Sequence, residues 1–147
     1  LSKHMDALTF FSTGSGIVTL CGSTKFFFEA MECNRLLTFH NWIVLQCGSW
    51  GHSFNKYSEA TNTDFKVVKL LHYQKILQSQ AIVVVTDESC YVGNSTKAEV
   101  KFALYRSIPV FYFDGNNFSG ESDKLSKDTL NDYSLIEQFG KTNNLGF

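Results

Sequence analysis

The sequence lacks the marks of several classes of protein. No apolar run approaches the ~20 residues that cross a bilayer, and the amino terminus has no charged region, apolar core and small-residue cleavage site of the kind found in secretory signals. The 13 Lys and Arg residues are matched by 14 Asp and Glu residues, so the net charge of -1 supplies no attraction to a polyanion. We therefore expect a cytoplasmic protein that binds no membrane and no nucleic acid polymer.

Cysteine is scarce and irregularly spaced. The chain has 4 cysteines, at positions Cys21, Cys33, Cys47 and Cys90. They form no Cys-x-x-Cys pair and have no zinc-like spacing with the histidines. The sequence therefore predicts no disulfide framework, no metal site and no cofactor, and we expect Cys21 and Cys47, which lie in apolar runs, to be buried thiols.

The composition that remains is that of a globular chain. Hydrophobic residues make up 44% and charged residues 18% of the 147 residues, which is enough apolar material for one domain with a full core. We expect that domain to cover residues 6–147. Residues 1–5 end in His-Met and are expected to be a cloning remnant, with Met5 as the native start.

Short β-branched runs alternate with helical patterns along the chain. The predicted strands are Ile17–Cys21, Trp42–Cys47, Ala81–Thr86 and Ile108–Phe113, and the predicted helices are Thr24–His40, Asp64–Ser79 and a segment after Gly93. Continuous apolar strands of this kind are typical of parallel sheets buried on both faces. The sequence thus predicts an α/β fold, a flavodoxin/Rossmann-like parallel sheet with strand order 2-1-3-4 and helices on both faces. Beyond Asp114 we expect a polar loop to Asp123, a looser helix from Lys124 to Phe139 and a loose tail.

The segment between the third and fourth predicted strands carries the main candidate for chemistry, Glu99. It is expected in the first turn of the helix that follows Gly93, where the helix dipole favours an ionised carboxylate. An ionised carboxylate at the ligand edge of a sheet can act as a nucleophile. Thr96-Lys-Ala-Glu99 also fits a capping box, in which the glutamate bonds only to the backbone of the cap residue.

Strand order 2-1-3-4 predicts which loops meet. It places the switch point between the first and third strands, so Gly22-Ser23 and the loop from Gly93 to Glu99 should share one crevice. A strand-to-helix turn with Gly and a hydroxyl suits an anionic ligand, although a tight turn with a serine cap explains the same residues.

The second predicted strand opens into the glycine-containing loop Gly48–Phe54. Trp50 of this loop can stack on a planar base and His52 can exchange a proton, or the loop can be a plain connector. His72, inside the predicted helix Asp64–Ser79, is expected to be a structural or surface histidine. The apolar side of that helix is predicted to consist of Val67, Val68, Leu70, Leu71 and Leu77.

The segment Tyr91–Ala103 reads Tyr-Val-Gly-Asn-Ser-Thr-Lys-Ala-Glu-Val-Lys-Phe-Ala and is followed by Ile108-Pro-Val. It resembles the signature of the nucleoside 2-deoxyribosyltransferase-like superfamily, which includes deoxynucleoside 5′-monophosphate N-glycosidase-like proteins. Gly22-Ser23 and the pattern from Leu71-His72 to Lys75-Ile76 are similar as well. The resemblance implies a homo-oligomeric enzyme that cleaves the N-glycosidic bond of a nucleoside or its 5′-monophosphate. Glu99 would be the nucleophile.

The resemblance also implies a set of substrate-binding residues. With the loop candidates, that set is Gly22, Ser23, Trp50, Tyr91, Gly93, Asn94 and Ser95. The acid that protonates the departing base stays open among Asp87, Glu88, Tyr91 and His52. A module that binds a nucleotide-derived ligand without cleaving it is the alternative function.

Overall fold

The structure, a computed structural model, describes residues 6–47 and 62–120, with side chains in the second range described from residue 66. The helices are α1 (Ala7–Thr13), α2 (Phe27–Phe39), α3 (Asn62–Leu77) and α4 (Asn94–Tyr105), and a 3₁₀ turn at Thr24–Phe26 leads into α2. The strands are β1 (Gly16–Cys21), β2 (Trp42–Leu45), β3 (Ala81–Val85), β4 (Val110–Phe113) and β5 (Phe118–Ser119).

These strands form one sheet in the order β2-β1-β3-β4-β5. Strands β1 to β4 run parallel, with Val18 opposite Ala81 and Ile82 opposite Val110. The predicted α/β class and strand order 2-1-3-4 are therefore confirmed. The short β5 adds an antiparallel edge after a turn in which Asp114 Oδ1 accepts bonds from the backbone N–H groups of Asn116 and Asn117, at 2.9 and 2.7 Å.

The central strand β3 shows why helices cover both faces. All five of its residues are buried, and successive side chains point to opposite faces. Ala81, Val83 and Val85 belong to the core formed with α1 and α2. Ile82 and Val84 belong to the core formed with α3 and α4. A strand buried on both sides requires the unbroken apolar run that this segment has.

Helix α1 is a feature that the sequence did not predict. Asp6 begins it by accepting a hydrogen bond from Leu8 N at 3.2 Å. Its aromatic side chains pack on β2, and Trp42 Nε1 donates to the carbonyl of Phe11 at 3.0 Å. A helix of seven residues is marginal by itself, so we attribute its stability to this packing.

Several sequence predictions lie outside the described residues: the loop Gly48–Phe54, the helix Lys124–Phe139, the tail and residues 1–5. The predicted apolar face of α3 needs one correction. Val67 and Leu71 are about half exposed, whereas His72 and Ile76 are buried. None of the helices in the two described ranges is long and apolar enough to cross a membrane.

Candidate functional site

A cavity of about 350 Å³ lies where β1 and β3 end, at the switch point of the sheet. Its described lining consists of Leu20, Cys21, Gly22, Ser23, Thr24, Ala30, Cys47, Val68, Lys69, His72, Val85, Ser95 and Glu99. The size is within the range of small-molecule sites, and carboxyl-end crevices are where open α/β sheets bind ligands. The structure thus brings the Gly22-Ser23 turn, Ser95 and Glu99 to one cavity, as the strand order predicts.

Gly22 allows the turn after β1 to lie close to β3. Its φ of +145° is unfavourable for residues with a side chain, and a Cβ at this position would lie 2.5 Å from the carbonyl oxygen of Val85. Ser23 then caps the 3₁₀ turn, because its Oγ accepts a bond from Lys25 N at 3.3 Å. The serine cap is therefore present, and the same turn also lines the cavity.

Helix α4 begins earlier than its sequence pattern suggests. Gly93 is the N-cap, with φ -74° and ψ 169°, and its carbonyl accepts from Lys97 N at 2.9 Å. Thr96 is consequently a buried residue inside the helix and caps nothing. Glu99 is the sixth helical residue, so both the capping box and the placement of Glu99 in the first turn are wrong. Glycine offers no side-chain cap bond, and for that reason the hydroxyl residues that follow it looked like better caps.

Instead of the backbone, Glu99 contacts His72. Its Oε1 lies 3.5 Å from His72 Nε2, and the side chains are only 12% and 8% exposed, respectively. The same nitrogen lies 3.5 Å from Cys21 Sγ. Burial, and then the negative charge of Glu99, raise the pKa of the Cys21 thiol well above its ordinary value. The thiol is therefore neutral at physiological pH.

The three side chains reach the same point from three elements. Cys21 is the last residue of β1 and belongs to the core on the α3 and α4 side of the sheet. His72 comes from α3 and Glu99 from α4. Their ligand atoms all lie within 4.8 Å of one another. The prediction of a buried thiol is confirmed for Cys21 but wrong for Cys47, which is only partly buried. The neighbours of Cys21 were not predicted.

A signal for His72 was present in the sequence. It lies four residues after Val68 and four before Ile76, on the stripe of α3 that turns out to face the sheet. Counting Val67 and Leu71 as apolar-face residues shifted the predicted stripe and left His72 off it.

Other predicted site residues do not line this cavity. Tyr91, Gly93 and Asn94 are not in its described lining. Tyr91 is 47% exposed, and Lys25 Nζ lies 3.6 Å from the centre of its ring. Thr86 Oγ1 fixes the Tyr91 loop by donating to its carbonyl at 2.7 Å. Trp50, like His52, lies outside the described residues.

The acid candidates Asp87 and Glu88 are also absent from the described lining. A hydrogen bond from the Ser89 hydroxyl holds the pKa of Asp87 below its ordinary value. An acidic group whose pKa is lowered in this way is a poor proton donor near neutral pH.

Fold and site together define an α/β protein with a ligand-sized cavity at the switch point of a largely parallel sheet. Comparisons of the chain with protein-family models, curated proteins and solved structures found no match.

Proposed function

We propose that the protein cleaves the N-glycosidic bond of a nucleoside or nucleoside 5′-monophosphate, with Glu99 as the nucleophile. The observation that carries the proposal is the position of this carboxylate. It lines a cavity of about 350 Å³ at the switch point, together with the Gly22-Ser23 turn. The resemblance of the segment around Glu99 to the deoxyribosyltransferase-like signature supplies the reaction class.

In this reaction a Glu99 oxygen attacks the anomeric carbon of the sugar as the bond to the base breaks. The bonding electrons leave with the base, which also takes up a proton from water. An anionic carboxylate stabilises the oxocarbenium-like transition state and then forms a glycosyl ester. Water resolves this intermediate in a hydrolase, and a second base resolves it in a transferase.

Polar groups beside Glu99 suit the rest of the substrate. The backbone N–H groups of the Gly22-Ser23 turn and the hydroxyls of Ser23 and Ser95 are donors for a sugar hydroxyl or a 5′-phosphate. Lys69 also lines the cavity and adds a positive charge. These donors are suited to the sugar and phosphate of a nucleotide-type ligand.

A binding module without catalysis is the second candidate. It is favoured by the contacts of Glu99 with His72 and Cys21, which engage the carboxylate within the protein. A nucleophile must leave these contacts when the substrate binds, whereas a binding module can keep them.

We also propose that the chain forms a homo-oligomer. Helix α2 exposes Phe28, Met31 and Phe39, which are 74%, 53% and 74% exposed. At spacings of three and eight residues they lie on one side of the helix, where the exposed Arg35 stands between Met31 and Phe39 with its guanidinium carbon 5.7 Å from the centre of the Phe39 ring. Aromatic residues, methionine and arginine are the residue types enriched at protein interfaces, so this side of α2 is suited to contact with a second copy.

The catalytic proposal is tested with a panel of deoxynucleosides and their 5′-monophosphates, with and without a second base. Wild type, Glu99→Gln and the surface control Glu32→Gln, which is not in the described lining of the cavity, are compared by chromatography, and the wild type is searched for a glycosyl adduct by denaturing mass spectrometry. We expect wild type and Glu32→Gln to release base, and Glu99→Gln to lose at least about 1000-fold in rate.

Equal base release by wild type and Glu99→Gln would refute Glu99 as nucleophile. No release from any substrate, combined with thermal stabilisation by a nucleotide in both proteins, would establish the binding module instead.

A further inference from the structure

The cluster of Cys21, His72 and Glu99 has a geometry that the glycosidase reaction does not explain. Cys21 Sγ lies 3.5 Å from His72 Nε2, and Glu99 Oε1 lies 3.5 Å from the same nitrogen. All three ligand atoms lie within 4.8 Å of one another. The thiol, the imidazole and the carboxylate thus form a small triangle.

This arrangement differs from a nucleophile relay. A Cys-His-acid relay uses both ring nitrogens, one for the nucleophile and the other for the acid. Here both neighbours approach Nε2, while the buried Nδ1 atom has no hydrogen-bond partner among the described residues. The three groups converge on a point instead of forming a chain.

Two edges of the triangle match those of a metal coordination tetrahedron. Zinc bonds of about 2.3 Å to sulfur and about 2.0–2.2 Å to nitrogen and oxygen place neighbouring ligands roughly 3.3–3.6 Å apart. The two measured edges of 3.5 Å fall in this range. An ion can therefore be accommodated with small side-chain movements.

The types of donor select the metal. Thiolate and imidazole prefer zinc and neighbouring divalent transition metals, whereas magnesium and calcium prefer oxygen ligands. All three residues line the cavity, so a fourth coordination position would be open to water or a ligand. Three protein ligands with an open position are typical of catalytic and exchangeable sites.

We propose that Cys21, His72 and Glu99 bind one divalent transition-metal ion of the zinc class. Binding forms bonds to Sγ, Nε2 and a carboxylate oxygen, and the thiol proton passes to solvent. Since His72 Nδ1 has no acceptor among residues 6–47 and 66–120 that would fix the ring, the site should be weaker than structural zinc sites and exchangeable.

Metal binding does not depend on the proposed glycosidase activity. If that activity holds, the two exclude each other, because a metal-bound Glu99 cannot attack a sugar. Zinc would then be an inhibitor that a chelator removes.

Metal binding is tested directly on the purified chain after treatment with a chelator. Cobalt(II) is the probe, since a bound thiolate gives a sulfur-to-cobalt absorption band, and zinc competition reports affinity. We expect one cobalt ion per chain, with the thiolate band displaced by zinc. The variants Cys21→Ser, His72→Asn and Glu99→Gln should each bind zinc at least about 100-fold more weakly, since even the loss of an outer partner costs 10–100-fold.

Cys90→Ser is the matched control, because Cys90 is exposed and does not line the cavity. Circular dichroism establishes whether each variant is folded. If Cys21→Ser does not fold, Glu99→Gln, which preserves the shape of the side chain, tests the site in its place. The proposal is overturned if wild type shows no thiolate band, or if zinc affinity is the same in wild type and in the folded ligand variants.

Discussion

Replacement of Gly22 by alanine tests the close approach of β1 to β3 at the cavity. The new Cβ would lie 2.5 Å from the Val85 carbonyl oxygen, and the residue would have to keep a φ of +145°. Backbone strain of this kind costs about 1–3 kcal/mol, and overpacking adds a further 1–3 kcal/mol. We therefore expect Gly22→Ala to lower the free energy of unfolding by about 2–6 kcal/mol.

The measurement is urea denaturation followed by circular dichroism. If the free energy of unfolding depends on urea concentration with the same slope in each protein, all of them unfold in the same two-state transition. Gly93→Ala is the matched control. Gly93 has φ -74°, and the nearest atom to its added Cβ is the Tyr91 hydroxyl at 3.4 Å. Alanine is a poorer N-cap than glycine, which lowers stability, but it also makes the unfolded chain less flexible, which raises stability. The free energy of unfolding of this variant should therefore stay within about 1 kcal/mol of the wild-type value. Equal stability of Gly22→Ala and Gly93→Ala would contradict a close approach at Gly22.

Three further predictions concern thiols and self-association. Burial raises the pKa of Cys21, so the metal-free folded protein keeps this proton and its stability to urea should fall as pH rises above the ordinary thiol pKa of about 8.5; a stability that stays constant through that pH would contradict this. In the native protein an alkylating reagent should label exposed Cys90 before Cys21, and equal labelling of the two by mass spectrometry would contradict the burial. Phe39→Ser should shift the sedimentation coefficient towards the monomer value, whereas an unchanged coefficient would exclude this side of α2 as the contact between copies.

The strands followed from local patterns, and their order from the few arrangements that doubly wound sheets adopt. An unbroken apolar run such as Ala81–Val85 directs apolar side chains to both faces of the sheet, so both faces must be covered. Helices that alternate with such strands form the crossovers of a parallel sheet. The bounds of the helices were less predictable. α1 depends on packing against Trp42, and the start of α4 depends on Gly93, whose capping role lies in its backbone.

The candidate site was also predictable only in part. The sequence by itself determined that the Gly22-Ser23 turn, Ser95 and Glu99 meet at one edge of the sheet, because strand order decides which loops are neighbours. Only the tertiary structure decided that Glu99 contacts His72 and Cys21. Cys21 and His72 are 51 positions apart in the chain, and the rotation of α3 about its axis selects which of its side chains points at the end of β1. That rotation is set by packing against the sheet, since no local spacing links a strand end to residues on two separate helices.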